Sequence, residues 1–327
     1  MENAIRVYVE NADDEPPEYI VGVDSLRRFL APHADAVDIV VAARSRPELD
    51  ALRGAQFFVG SGFDPARIQS YGRNIVLIHS LSAGIERYLP LNWLPPKAVL
   101  TNSRGVHADK GGPFGAMALL MLNERAPHYA GNQRRHLWEP ALSSAIQGKT
   151  VVIYGLGSLG RAIAACIRPF GVRIIGIRRS GDPHPAADHV LKPQQLEEVL
   201  SQADFLVLSC PLTRRTRGLI GSRELGLLPR GAGILNIARA GVLSNEALVE
   251  HLKSGHISGA IIDVFDPEPL PADSPWWDAP NLFIFPHTSC DDAQGYIDKC
   301  LGIFADNVGR YLSGRPLLNV VSAVHEY

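Results

Sequence analysis

Residues 149–180 read KTVVIYGLGSLGRAIAACIRPFGVRIIGIRRS. An apolar, β-branched run (Val151, Val152, Ile153) ends in Gly155-Leu156-Gly157-Ser158-Leu159-Gly160, and residues 161–168 beyond it contain neither Gly nor Pro. After Gly171 a second apolar run (Val172, Ile174, Ile175, Ile177) closes the unit, with Arg178, Arg179 and Ser180 at its carboxyl end. The pattern predicts strand, tight turn, helix and strand, a βαβ unit of roughly 30 residues. The three glycines serve different ends. The first allows the turn, the second lets a diphosphate approach the backbone, and the third packs helix on strand while the helix N-terminus faces the anion. A purely structural turn or a methyltransferase-type site shares this fingerprint, but strands on both sides favour a dinucleotide.

Downstream, short apolar runs at 205–208, 233–237, 260–264 and 282–285 alternate with helices at 194–200 and 245–253, the latter capped by Ser244. Six buried runs with helical crossovers predict a doubly wound parallel sheet. Upstream, strand-like runs at 5–9, 39–41, 57–59, 75–78 and 99–100 predict a smaller α/β unit, to which a helix over 291–312 returns the chain. The expected fold is therefore α/β with two doubly wound, Rossmann-like parallel-sheet domains. Residues 103–290 would bind a dinucleotide, residues 1–102 plus 291–327 would form a flavodoxin-like substrate domain, and a cleft would lie between them.

In the smaller unit two glycine-bearing turns fall at strand ends, Gly60-Ser61-Gly62 and Ser82-Ala83-Gly84-Ile85. They read either as plain turns or as backbone donors for a carboxylate. Between the domains, Lys110-Gly111-Gly112-Pro113 reads as a polar, glycine-broken stretch. Residues 114–122 read as a helix so apolar that it must be buried between domains or against a second subunit. Trp138, before the dinucleotide unit, is open to a core or an interface reading.

Composition narrows the function. With 32 Lys+Arg against 34 Asp+Glu the net charge is −2, and without a basic run nucleic acid is not an expected partner. The amino terminus enters a strand without a leader pattern, and no apolar segment reaches membrane-spanning length, so a soluble, cytoplasmic protein is expected. Cys166, Cys210, Cys290 and Cys300 lack C-x-x-C spacing and the histidines stand singly, so neither disulfide nor metal is expected.

Three segments at strand ends carry the remaining chemistry. Arg239, in Asn236-Ile237-Ala238-Arg239, offers a planar fork for a carboxylate; Glu268, in Asp263-Val264-Phe265-Asp266-Pro267-Glu268-Pro269, is an anion between prolines; and His287, in Pro286-His287-Thr288, titrates near neutrality. Hydride transfer between a dinucleotide and a 2-oxo acid needs such a set, one group to hold the carboxylate and one to give the alkoxide a proton.

In this order the chain resembles the D-isomer-specific 2-hydroxyacid dehydrogenases. The resemblance runs through LSAGIERYL (81–89), TNSRGVHA (101–108), GLGSLG (155–160), SCPLTRRTRGLIG (209–221), NIARAGVLSNEAL (236–248), GAIIDVFDPEPLP (259–271), FPHTS (285–289) and DNVGRYLSGRPLLNVV (306–321). The first two of these look most like the glyoxylate/hydroxypyruvate reductase branch. The resemblance implies that Arg239 binds and polarises the 2-oxo acid, that His287 is the general acid in reduction, and that Glu268 pairs with it to favour the imidazolium. It further implies backbone contacts to substrate from Ser82, Ala83, Gly84 and Ile85 with Gly60 nearby, and a nicotinamide contact from Asp263. Gly155, Gly157, Ser158, Leu159, Gly160, Cys210, Pro211, Thr216, Ile237 and Ala238 would line the cofactor, and the enzyme would be a homodimer, with Trp138 reaching toward the partner. Two places depart from the family pattern: Thr288-Ser289-Cys290-Asp291-Asp292 after the histidine, and Gly112-Pro113-Phe114-Gly115 where an acid is usual.

NAD-binding members place an Asp or Glu at the end of the second strand, for the ribose 2′-OH. Here Arg178 stands eighteen residues beyond Gly160, followed by Arg179 and Ser180. Two guanidiniums and a hydroxyl suit a 2′-phosphate, so NADP(H) is expected over NAD(H), with NAD(H) as the alternative. The expected function is an NADPH-preferring 2-oxo acid reductase. The competing readings are a dinucleotide-sensing, corepressor-like protein and a formate- or phosphite-type dehydrogenase.

Overall fold

A computed structural model describes residues 5–14, 16–32 and 37–327; the leader reading of residues 1–4 lies outside them. The chain divides into two compact units, Met1–Val106 with Asp292–Tyr327, and His107–Asp291.

In the smaller unit β1 (Ile5–Asn11), β2 (Val37–Ala43), β3 (Phe57–Gly60), β4 (Leu77–Ser80) and β5 (Val99–Asn102) form a parallel sheet ordered β2-β1-β3-β4-β5. Alternate side chains serve opposite faces. Val7, Val9, Phe57 and Val59 pack with α1 (Val23–Phe29) and the closing helix Tyr296–Leu312, and Tyr8, Phe58 and Ile78 pack with α2 (Leu49–Gly54) and α3 (Pro65–Tyr71). The fourth strand lies later than the apolar run 75–78, because the N–H of Ile75 is held in a turn by the carbonyl of Gly72. The closing helix starts at Tyr296, not at 291, because the Asp292 side chain accepts from the N–H of Gln294 at 3.1 Å and its carbonyl from Gly295 at 3.3 Å, which makes a turn instead.

The larger unit holds α4 (Ala108–Asn123), α5 (Ala126–Arg134) and a seven-stranded parallel sheet ordered β12-β11-β10-β9-β6-β7-β8. Its strands are β6 (Thr150–Tyr154), β7 (Arg173–Ile177), β8 (His189–Leu191), β9 (Phe205–Leu208), β10 (Ala232–Asn236), β11 (Ile257–Ile262) and β12 (Leu282–Ile284). The sequence predicts six; β8 is only three residues long and carries an exposed histidine, too little for a pattern. Val151 and Ile153 face α4 and α6 (Ser158–Ile167), while Val152 and Tyr154 face α7 (Glu197–Leu200), α8 (Ser222–Leu227) and α9 (Asn245–Lys253). Burial on both faces explains the nearly unbroken apolar runs.

The predicted helix 114–122 is longer than its sequence suggests. α4 takes in Gly111, Gly112 and Pro113 because these glycines are contact points with α6. A β-carbon at Gly112 would lie 3.0 Å from the carbonyl oxygen of Ala162, and one at Gly115 would lie 2.5 Å from Ile163 Cγ1. Ala116, Ala118, Leu119 and Leu122 of this helix are buried against α6 and the sheet, while Phe114, Leu120 and Met121 are half-buried and Met117 is 40% exposed, so part of its apolar surface is left uncovered within this unit. Trp138 is 94% exposed, which removes the core reading for that side chain. Among the described residues no helix is long and apolar enough to cross a membrane.

One buried polar residue makes the stability of the smaller unit depend on pH. His79, at the centre of β4, contacts Thr101 Oγ1 at 2.9 Å and Ser103 Oγ at 3.2 Å, and burial pushes its pKa down to about 3. An unfolded histidine takes a proton near pH 6.5 whereas the folded one does not, so stability falls as pH drops from about 6.5 toward 3, by up to about 1.4 kcal/mol per pH unit. Urea unfolding from pH 7 to 4 should show the stability difference between the protein and its His79→Gln variant shifting toward the variant as pH falls; a difference independent of pH would contradict this assignment.

Candidate active site

The glycine turn shows which of its three glycines the protein itself requires. Gly155 has φ +105°, and a β-carbon there would lie 2.6 Å from the backbone nitrogen of Cys210; one at Gly160 would lie 2.3 Å from the carbonyl oxygen of Gly155. A β-carbon at Gly157, the N-cap of α6, would meet nothing within 4 Å. No protein atom explains the middle glycine, and the space it leaves, beside Ser158, Leu159 and the helix N–H groups, fits an approaching diphosphate. The turn lies where the sheet order reverses, between β6 and β9.

Around it, Cys210 is buried at the end of β9 and burial pushes its thiol up to about 12, so it is an inert wall. Thr216 donates its hydroxyl to the carbonyl of Pro211 at 2.7 Å and accepts from the N–H of Thr213 at 2.8 Å. Its hydroxyl is committed to the loop, so Thr216 sets the loop's shape. Ile237 and Ala238 are buried past β10, where Asn236 Oδ1 accepts from the N–H of Ala238 at 3.0 Å. That turn directs Arg239, whose Nη1 donates to the carbonyl of Ala238 at 2.7 Å. At the end of β7, Arg178 is half-buried while Arg179 and Ser180 are exposed.

β10, β11 and β12 are neighbours, and their carboxyl ends bring Arg239, Asp263, Glu268 and His287 to one edge of this unit. Glu268 Oε1 accepts from the N–H of Phe265 at 2.7 Å, and its Oε2 lies 2.8 Å from His287 Nδ1. Because a carboxylate only accepts, Nδ1 is the donor, which leaves Nε2 to carry or release a proton. His287 itself sits at φ +54°, a left-handed backbone uncommon for a residue with a ring side chain. Asp263 holds it there. Its Oδ1 accepts from the N–H groups of Thr288 and Ser289, each at 3.1 Å, and its Oδ2 from the Ser289 hydroxyl at 2.6 Å. Burial raises the pKa of Asp263 and these hydrogen bonds counter the rise. Lys110 on α4 grips the same loop, donating to the carbonyls of Thr288, at 2.8 Å, and Asp291.

Ser289, Asn236 and Lys110 are absent from the site residues inferred from sequence. Lys110 is hidden because its glycine-rich surroundings read as loop, and Ser289 because it lies in the segment that departs from the family pattern. The remaining predicted residues lie in the smaller unit. Gly60 closes β3, where a β-carbon would come within 2.5 Å of the carbonyl oxygen of Glu10. Ser82, Ala83 and Gly84 form the turn past β4; Asn102 Nδ2 fixes it by donating to the carbonyl of Ala83 at 2.8 Å, and Ile85 anchors it in the core.

Comparison with known proteins agrees with this geometry. Residues 116–289 match the family model described as D-isomer specific 2-hydroxyacid dehydrogenase, NAD binding domain. The chain is 31% identical to the mouse glyoxylate reductase/hydroxypyruvate reductase over 68% of its length and 70% of that protein's. It is 39% identical to the glyoxylate reductase of Thermococcus gammatolerans, over 46% of this chain and 45% of that one. Its fold superposes with a TM-score of 0.82 on the NADPH-dependent glyoxylate/hydroxypyruvate reductase of Sinorhizobium meliloti, solved with NADP and sulfate, at 25% identity over 99% of this chain and 100% of that one. With the glycine turn, the histidine–carboxylate pair and this match over more than half its length, the chain belongs to the D-isomer specific 2-hydroxyacid dehydrogenases, a family of NAD(P)-dependent oxidoreductases.

Proposed function

We propose that the protein is an NADPH-preferring reductase of small 2-oxo acids of the glyoxylate and hydroxypyruvate type. The observation that carries this reading is the His287–Glu268 pair at 2.8 Å, on the same sheet edge as Arg239 and in the same unit as the glycine turn. NADPH, when bound, supplies the hydride. Arg239 holds the substrate carboxylate and polarises the 2-oxo group, and His287 Nε2 delivers the proton as the alkoxide forms. Glu268 keeps the ring oriented through its contact with Nδ1, while Asp263 fixes the backbone that presents it. Within the smaller unit, the Ser82-Ala83-Gly84-Ile85 turn and Gly60 offer backbone N–H groups of the kind that bind a carboxylate. Cofactor choice rests on Arg178, Arg179 and Ser180 at the end of β7, where an acid would otherwise exclude a 2′-phosphate; the NADP in the S. meliloti relative accords with this. The four cysteines are free thiols, consistent with a cytoplasmic enzyme.

Association of two chains is supported by the exposed apolar residues of α4, Met117 among them, and by a second segment. Leu137, Trp138 and Leu142 are 42%, 94% and 93% exposed in one irregular segment, an apolar surface suited to a second chain. Sedimentation at micromolar concentration should give twice the mass of a single chain, and Trp138→Ser with Leu142→Ser should weaken the dimer; a fully active monomer would refute it.

The catalytic assignment is tested by following oxidation of NADPH with a panel of 2-oxo acids. His287→Ala should lower kcat by about a hundredfold or more while NADPH still binds. Glu268→Gln, which replaces the carboxylate on Nδ1 with a weaker, neutral acceptor, should lower kcat with little change in the KM for NADPH; an unchanged kcat takes Glu268 out of the mechanism.

For the cofactor, kcat/KM should favour NADPH over NADH by about tenfold to a hundredfold, the worth of one charge-assisted phosphate contact. Arg178→Asp with Arg179→Ala should erode that ratio mainly through KM, because the 2′-phosphate is remote from the hydride. Equal efficiency of the unmodified enzyme with both cofactors would show that these arginines do not read the phosphate.

A further inference from the structure

Beside Arg178 lies a group of donors that no sequence motif announces. Arg161, on the first turn of α6, is tied to the glycine turn by an Nε hydrogen bond to the carbonyl of Gly157 at 3.0 Å, and its Nη1 reaches to 3.4 Å from Nε2 of His184. His184 lies on the loop after β7. There Gly181 (φ +70°) closes a turn on the carbonyl of Arg178, and Pro183 and Pro185 flank the histidine and limit its backbone freedom.

The hydrogen-bond roles around His184 can be assigned. The backbone N–H of Ala186 donates to Nδ1 at 3.1 Å, so Nδ1 carries no proton, and a neutral ring must carry its proton on Nε2. Nε2 therefore faces Arg161 as donor against donor. Partial burial, then the positive charges of Arg161 and Arg178, lower the pKa of His184 and keep the ring neutral at pH 7. Neither Arg161 nor Arg178 has a carboxylate partner among the described residues, and Asp188 on the same loop is already engaged by Arg168 Nη1 at 2.9 Å and by the N–H of Ile174 at 2.7 Å. Arg161 and the Nε2–H of His184 thus face one another at 3.4 Å, with Arg178 near enough for its charge to act on the ring and no carboxylate among the described residues paired with either arginine. An anion bound there would be met by charged and neutral donors together.

The geometry points to His184 as a specificity-determining residue that donates Nε2–H to the 2′-phosphate of the dinucleotide, beside the guanidiniums of Arg161 and Arg178. The ribose of a dinucleotide in this fold lies between the glycine turn and the end of the second strand of its unit. Arg161 is anchored at the first of these places, Arg178 at the second, and His184 bridges them. The inference rests on the NADPH reading and adds two residues to it, one of them uncharged. A neutral donor contributes direction without further positive charge, so it discriminates a tetrahedral phosphate from a hydroxyl without drawing in unrelated anions.

The test is calorimetric titration of the whole protein with 2′,5′-ADP and with 5′-AMP, which needs no turnover. The unmodified protein should bind 2′,5′-ADP at least about tenfold more tightly than 5′-AMP. His184→Phe should remove most of that ratio and leave 5′-AMP binding unchanged, which also reports an intact fold, and His184→Gln, with a neutral N–H donor at similar reach, should restore part of it. In the unmodified protein labelled with 15N-histidine, the His184 signals should report the Nε2–H tautomer and move with 2′,5′-ADP but not with 5′-AMP. If the unmodified protein does not discriminate, the NADPH reading fails and this inference with it. If it discriminates but His184→Phe discriminates equally, or the His184 signals stay still, the preference stands on the arginines and His184 has no part in it.

Discussion

The contact on which the larger unit depends is the approach of Gly160 to the carbonyl oxygen of Gly155, where a β-carbon would come within 2.3 Å. It draws the start of α6 down onto the end of β6, and Ser209 secures the same carbonyl with a hydroxyl hydrogen bond of 2.9 Å. α4 is then seated on α6 through Gly112 and Gly115. A chain of positions without side chains, running from the sheet through two helices, sets the spacing of one whole layer. The cost of glycine in a helix, roughly 1 kcal/mol each, is offset by backbone packing that no larger residue permits.

The same constraint explains what was legible from sequence. Parallel strands buried on both faces are almost unbroken apolar runs, so β6, β7, β9 and β10 stand out. The start of α4 does not, because local propensity reads Gly111-Gly112-Pro113 as a breaker while tertiary contact with α6 makes the glycines necessary. β8 is too short to carry a period. In the site, Arg239, Glu268 and His287 can be found because their side chain chemistry is unusual at strand ends. Asn236, Ser289 and Lys110 act by holding backbone, and Arg161 and His184 meet through a loop; a small polar residue in a turn looks the same in sequence whatever it supports.

The catalytic edge shows how the two kinds of residue combine. Glu268 is aimed by the N–H of Phe265 and in turn aims the imidazole of His287, while Asp263, on the neighbouring stretch after β11, satisfies two backbone donors and a hydroxyl just past the histidine. One carboxylate orients the ring and the other orients the backbone from which it projects. Both carboxylates follow β11 and the histidine follows β12, so the pairing of these two neighbouring strands sets the ring's place relative to both supports.

The left-handed backbone of His287 has a consequence for how this enzyme could change under selection. Glycine adopts φ +54° without penalty, whereas a residue with a β-carbon is held there at a cost of about 1–2 kcal/mol. A screen for thermal resistance alone would therefore favour glycine there to the extent that this relief exceeds the lost contact with Glu268, at the expense of the side chain proposed to deliver the proton. Heat-tolerant lineages must gain their stability elsewhere, and a chain of this pattern with glycine in that position would be recognisable as one in which catalysis is no longer under selection.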